Sequence, residues 1–353
     1  MESKIAFMQN DFLMITEITK NEEWNIILSE ISNYDCYHTF EYHHISKLPG
    51  EEPILISYRG DSGIIAFPLL KRKIPKSDFY DCTSVYGYAG PVFSAGISRK
   101  DLNDFQDALQ VYCSKNNIVS IFSRLNPYIN DQEKTLSKLG DIVALGKVVY
   151  IDLVKNIEEQ RSEFSKTTKR YLNKSRKFCS IKKSFDEKDI LIFKDLYYEN
   201  MNRVKADAYY FFDEAYFIQL AGVKEFISEV IYVILEETKE IIAGAILIKN
   251  RDVVHYHLSG TKTEYLSLNP LRLILDEARL ENSISKNHRF FNLGGGLKNM
   301  DDGLFHFKSS FSKSTKAFKI WKYIANEEIY KALVDMKETN SEFFPSYRRQ
   351  GKD

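Results

Sequence analysis

Residues 230–296 read VIYVILEETKEIIAGAILIKNRDVVHYHLSGTKTEYLSLNPLRLILDEARLENSISKNHRFFNLGGG. Two apolar runs, Val230–Glu236 and Ile241–Ile248, flank the polar Glu237-Thr238-Lys239-Glu240, which predicts a β-hairpin. Val253–Ser259 predicts a third strand. Asn269-Pro270 opens a helix with a cap residue and a first-turn proline in favoured places, and Phe290–Leu293 closes the unit as a buried strand.

The same order occurs earlier in the chain. Ile54–Tyr58 and Ile64–Leu70 predict a hairpin around Arg59-Gly60-Asp61-Ser62-Gly63. Val85–Phe93 is the expected third strand, a helix follows from about Asp101, and Ile118–Phe122 is the closing strand. Hairpin, strand, helix, strand thus appears twice, which predicts a duplicated α/β unit; the separation is far too long for a solenoid repeat. Residues 21–32, with Trp24, Ile27, Leu28 and Ile31 at helical spacing, predict a helix ahead of the first copy. A helical stretch of about 157–204 is expected between the copies, and no Gly/Ser/Pro-rich linker separates them. The resulting division is 1–150 for the first half, 151–330 for the second half with a basic helical entry at 161–183, and 331–353 for a C-terminal helix or tail.

The chain has 353 residues, 44% hydrophobic and 28% charged, with Lys+Arg and Asp+Glu both at 49. That balance excludes a global basic field, so a polyanion has to be met by a local patch. The amino terminus lacks the apolar core of a signal peptide, and no stretch approaches a membrane-spanning length, so a cytoplasmic protein is expected. The cysteines Cys36, Cys82, Cys113 and Cys179 are scattered, without a C-x-x-C pair, which fits neither a zinc site nor a disulfide framework. The 22 Tyr, 24 Phe and 2 Trp favour large cores with amphipathic rims, a sugar- or base-stacking cleft being the alternative.

Familiar catalytic signatures are absent: there is no G-x-x-x-x-G-K-[ST], no H-E-x-x-H and no G-x-S-x-G. His43 and His44 are adjacent and face different ways. His255 and His257 share a face of an expected strand, lining a polar cleft or bonded within the core, and no metal site is expected from them. Gly294-Gly295-Gly296, after a buried strand, gives backbone that can approach a ligand and present N–H groups to an oxyanion or phosphate; a flexible exit loop is the competing reading. Downstream, Gly303-Leu-Phe-His-Phe-Lys308 is read as extended, Phe305 and Phe307 facing one way and His306 and Lys308 the other. A lysine held by aromatics near a glycine turn can stabilise negative charge developing on a carbonyl oxygen, whereas a snorkelling surface lysine is the bland alternative. Arg161–Lys183 holds nine Lys or Arg against one acid, Glu163, and is either a polyanion surface or a solvated helix face.

Four motifs in register now resemble one family. Asp81-x-Thr83-Ser84-x-Tyr86-Gly87-Tyr88-x-Gly90-Pro91, Tyr256-His257-Leu258-Ser259-Gly260 with the Asn269-Pro270 helix, Leu293-Gly294-Gly295-Gly296, and Phe307-Lys308-x-x-Phe311 are similar to the signatures of FemAB-like acyl- and aminoacyl-transferases, over about residues 36–312. The resemblance implies an α/β (mixed α+β sheet) fold of two tandem acetyltransferase-like, GNAT-type domains packed around a shared cleft. It implies transfer of an acyl or aminoacyl group to an amine of a cell-envelope precursor, such as a peptidoglycan peptide or a nucleotide-linked amino sugar of a polysaccharide pathway.

Lys308 with Phe307 is the implied catalytic pair. Lys47, Tyr86, Arg203, Tyr216, Tyr256 and Gly294–Gly296 are the expected substrate-binding residues. Two positions depart from the family pattern: an acceptor-contacting arginine falls near Phe212, and an aspartate proposed as base falls on Asn126. After Val253–Ser259 there is no Q/R-x-x-G-x-G/A loop for coenzyme A pyrophosphate; Thr261-Lys-Thr-Glu-Tyr-Leu-Ser stands there. Aminoacyl-tRNA is therefore the leading donor, with tRNA contacted through 161–183, and acyl-CoA the runner-up. No tightly bound cofactor is expected. A binding protein that keeps the fold without turnover is the alternative from another class.

Overall fold

A computed structural model describes residues 15–184, 187–297, 300–335 and 343–348. The expectations for the first 14 residues, and for part of 331–353, lie outside the described residues. The described residues of Met1–Leu145 and Phe318–Asp353 form one compact unit, and those of Gly146–Ala317 a second. The sequence reading keeps 151–330 together and ends in a separate tail; here the strand Thr315–Ile324 carries the chain into the first unit, pairing Ile320 with Arg124 and Ile324 with Ser120.

In the first unit the strands run in the order Ile15–Ile18, Glu51–Arg59, Ile64–Lys73, Tyr80–Thr83, Ile118–Arg124, Thr315–Ile324. Neighbours are antiparallel except Tyr80–Thr83 with Ile118–Arg124, which are parallel and joined through the helix Arg99–Lys115. Strand residues alternate between two cores, as a period of two requires. Ile54, Ile56 and Tyr58 meet Phe105 and Leu109 of that helix, while Leu55 meets Trp24 and Leu28 of the helix Asn21–Ser29.

The second unit repeats this plan. Its strands follow Cys179–Ser184, Ile227–Leu235, Glu240–Asn250, Val253–Thr261, Phe290–Gly294 and then the end of Asp141–Asp152. Again one neighbouring pair is parallel, Val253–Thr261 with Phe290–Gly294, and again a helix, Pro270–Ser285, connects it. Leu273, Ile274 and Ala278 of this helix pack on Ile231, Val233, Ala245 and Leu247. On the opposite face lies the helix Glu187–Arg203, so close that a Cβ on Gly260 would stand 2.3 Å from the Leu196 carbonyl oxygen. The hairpin–strand–helix–strand order read from the sequence is present in both units, and the chain is a mixed α/β protein of two such units in tandem.

Three elements differ from expectation. The third strand of the first unit is Tyr80–Thr83, and the aromatic run after it is mostly loop, because Gly87 (φ 123°) and Gly90 (φ 86°) bend it out of extended geometry. A short strand, Val92–Phe93, then pairs with Ile65 and Ala66. The stretch 157–204 is three helices, Ile157–Ser162, Lys166–Phe178 and Glu187–Arg203, with the strand Cys179–Ser184 between the last two. Its Lys182 and Lys183 obscure a two-residue alternation that pairs with Ile227–Leu235. Finally, residues 303–309 are a helix, not an extended segment, because the Asp302 carboxylate caps the Phe305 N–H at 2.9 Å.

Candidate functional site

The site is built from the exit of the strand Phe290–Gly294 and the helix Gly303–Ser309, both in the second unit. Asn292, buried on the strand, accepts the Gly294 N–H at 2.9 Å, and Gly294 takes φ 79°, a conformation that favours glycine. A Cβ on Gly296 would lie 1.9 Å from the Met300 carbonyl oxygen, so the turn can close only with glycine there. Asp302 ties turn to helix: one carboxylate oxygen accepts the Leu297 N–H at 3.0 Å, the other caps Phe305.

Lys308 completes the tie from the other side. Its side chain is 8% exposed, and its Nζ donates to the Gly295 carbonyl at 2.7 Å. Burial pulls its pKa down from the ordinary lysine range to about 8, with Asp302 pushing weakly the other way. The ammonium is thus mostly charged at neutral pH yet poorly solvated, and an ammonium has three donors of which the Gly295 carbonyl takes one. On the helix, Phe305 stands one turn back from Lys308, while Phe305 and Phe307 pack against the core of the unit. Helical spacing, not the strand alternation expected, sets these neighbours.

In the same unit, Tyr216 and His257 form a hydrogen bond of 2.8 Å between phenol and Nε2. His257 sits where the register of Val253–Thr261 slips against Glu240–Asn250, and burial, with His255 adding to it, lowers its pKa to about 3, so it is neutral. The Phe212 ring stacks on Tyr216 with centroids 4.3 Å apart, so aromatic surface stands near where the resemblance implies an arginine. Tyr256, neighbouring His257, is half-buried and has its hydroxyl pKa pushed up by burial. His255 meets Asn292 at 3.1 Å, so the two histidines serve different partners. Arg203 ends the helix Glu187–Arg203 and is committed to protein: it donates to the Thr261 carbonyl at 3.0 Å and the Thr263 hydroxyl at 3.2 Å, and also bonds Asn200.

Three further positions belong to the first unit. Lys47 is exposed at the C-terminal cap of the helix Phe40–Ser46. Tyr86 is half-buried, and its carbonyl accepts the Tyr42 hydroxyl at 2.8 Å. Asn126 donates to Asp35 and to the Tyr88 carbonyl, both at 2.9 Å, and accepts the Tyr128 N–H at 2.8 Å. Its amide thereby fastens three loop segments together.

The basic stretch separates into two classes. Arg161 and Arg176 reach the buried Asp276 at 3.6 and 2.7 Å, Lys182 pairs with Asp189 at 2.9 Å, and Lys183 with Glu229 at 2.8 Å. Lys166, Lys169, Arg170, Lys174 and Lys177 have no carboxylate partner among the described residues, and they line the face of Lys166–Phe178 opposite the buried Thr168, Leu172 and Ser175. Sequence reading missed Asp302, Arg272 and Asn292; an N-cap pattern, Asp302 three residues before Phe305, was the available signal for the first.

The FemAB family model matches residues 213–318, which contain the glycine turn, Tyr216, Tyr256 and Lys308. The chain is FemAB-like through this segment. Among solved structures, FemX aligns with TM-score 0.68 at 15% identity, over 90% of this chain and 99% of that one. L-PGS from Bacillus licheniformis aligns with TM-score 0.56 at 12% identity, over 88% and 93% of the two chains. A conserved protein of unknown function from Bacteroides thetaiotaomicron aligns with TM-score 0.57 at 11% identity, over 88% and 100%. At these identities the likeness is one of fold. No curated protein matches the chain.

Proposed function

We propose that the protein transfers an acyl group, with an aminoacyl group from aminoacyl-tRNA the leading case, to an amine of a cell-envelope precursor. The observation that carries this reading is the buried Lys308 ammonium held on the Gly295 carbonyl of a turn that glycine alone can form. A neutral amine attacks the ester carbonyl carbon, a C–N bond forms, and the carbonyl oxygen becomes anionic. The remaining Lys308 donors stabilise that oxyanion in a site from which water is largely excluded. Collapse breaks the C–O bond, and the amine proton passes to the departing oxygen, so no covalent enzyme intermediate is needed. Phe307 contributes packing, and Tyr216, Tyr256 and the glycine turn orient the substrates. The FemAB match over 213–318 supports the same reaction class.

The donor assignment is supported by the five cations of Lys166–Phe178 that lack a carboxylate partner among the described residues, a stripe suited to a phosphate backbone. Acyl-CoA is the second donor reading, with the first turn of Pro270–Ser285 as a place for phosphate. The test supplies a charged tRNA pool and an amine acceptor such as a peptidoglycan-precursor peptide, with and without ribonuclease. Transfer that disappears on ribonuclease treatment, and that weakens with a flattened salt dependence in Lys169→Glu/Arg170→Glu/Lys174→Glu, supports the RNA donor. Transfer from acetyl-CoA with micromolar affinity and no ribonuclease sensitivity reverses the order of donors.

A further inference from the structure

Arg272 is the third residue of the helix Pro270–Ser285 and is 8% exposed. A buried charge ordinarily requires an opposite charge, yet no carboxylate stands at ion-pair distance from Arg272 among the described residues. Its environment is a cage of another kind. Nη1 donates to the Thr168 hydroxyl at 2.5 Å and to the Ser310 hydroxyl at 2.8 Å. The guanidinium carbon lies 4.9 Å from the Phe307 ring centroid, and 5.7 Å from those of Phe311 and Tyr171. Ser310 in turn donates its hydroxyl to the Phe307 carbonyl at 2.6 Å.

Arg272 therefore grips Phe307 twice, at its ring by cation–π attraction and at its main chain through Ser310. Phe307 immediately precedes Lys308. We propose that Arg272 is a positioning residue that fixes Phe307 and the end of its helix, and so keeps the Lys308 ammonium on the Gly295 turn. The functional consequence rests on the transfer reading given above. The chemistry suits this role, because aromatic faces and hydroxyls hold the guanidinium without adding a further carboxylate beside Asp302 at the turn. A lysine cannot substitute fully, because a point charge does not bridge two hydroxyls while lying flat on a ring.

The test follows the titration of Lys308 by NMR in protein carrying 13C-labelled lysine, the Lys308 signal being assigned by its loss in Lys308→Ala. Arg272→Met, Arg272→Lys and Ser310→Ala are compared with the unsubstituted chain. Loosening the clamp should return Lys308 to water, raising its midpoint from near 8 by about one unit or more in Arg272→Met and Ser310→Ala, and less in Arg272→Lys. Turnover should fall by about tenfold with KM nearly unchanged, as for misplacement of a catalytic group. Ser310→Ala removes a single hydroxyl and decides the matter if Arg272→Met does not fold. A folded Arg272→Met or Ser310→Ala protein whose Lys308 titrates as in the unsubstituted chain overturns the proposal. Full turnover in Lys308→Ala is a separate failure: it removes the transfer reading, while the titration still decides the positioning role.

Discussion

Lys308 combines two properties that oppose each other, a positive charge and almost complete burial. The compromise is a pKa of about 8, produced by desolvation, so the ammonium is retained at neutral pH but lost just above it. If the charge stabilises an oxyanion, turnover requires the protonated form and should fall as pH rises through about 8. Lys308→Arg keeps its charge throughout that range and should lose this alkaline limb while running more slowly, since its planar donors are placed differently. A pH profile of kcat for both proteins checks this; an alkaline limb that persists in Lys308→Arg assigns the titration to another group. Lys308 and the three glycines were legible in sequence because their residue types are chemically loud. Arg272 was not, since a sequence does not say which arginines are buried away from carboxylates.

The elements show where pattern reading fails and why. Phe305 and Phe307 alternate with His306 and Lys308, which suits a strand, yet the Asp302 cap supplies a nucleus for a helix and the three-residue spacing of Phe305, Lys308 and Phe311 fits it. The strand Cys179–Ser184 was hidden because its lysines belong to ion pairs with Asp189 and Glu229 that only the fold reveals. Those pairings also reduce the basic stretch to the stripe on Lys166–Phe178. A close approach between elements makes another expectation. Gly260→Ala puts a methyl group 2.3 Å from the Leu196 carbonyl oxygen, so the helix Glu187–Arg203 has to shift. Overpacking of this kind should cost about 1–3 kcal/mol, read as a lowered denaturation midpoint. An unchanged midpoint would mean that the helix is not held against the strand as described.

At the scale of the molecule, the repeated hairpin–strand–helix–strand order was the most legible feature, because each copy must carry its own alternating strands and its own amphipathic helix to bury a core. The return of the C-terminal strand to the first unit was not legible, since pairing partners far apart in sequence leave no local trace. That unit is also fastened by its last described residue: Arg348 donates to the fully buried Asp81 at 2.7 Å, which Arg72 reaches from the other side at 2.7 Å. Arg348→Ala should cost about 1.5–3 kcal/mol, the range for a hydrogen bond to a charged group, and a thermal midpoint equal to that of the unsubstituted chain would show the contact to be idle.

The most direct test of the catalytic account is single-turnover transfer by Lys308→Ala. Loss of an oxyanion-stabilising donor should lower kcat by about 100-fold or more, with substrate affinity little changed and the protein still folded. Undiminished turnover in a folded Lys308→Ala protein would contradict it.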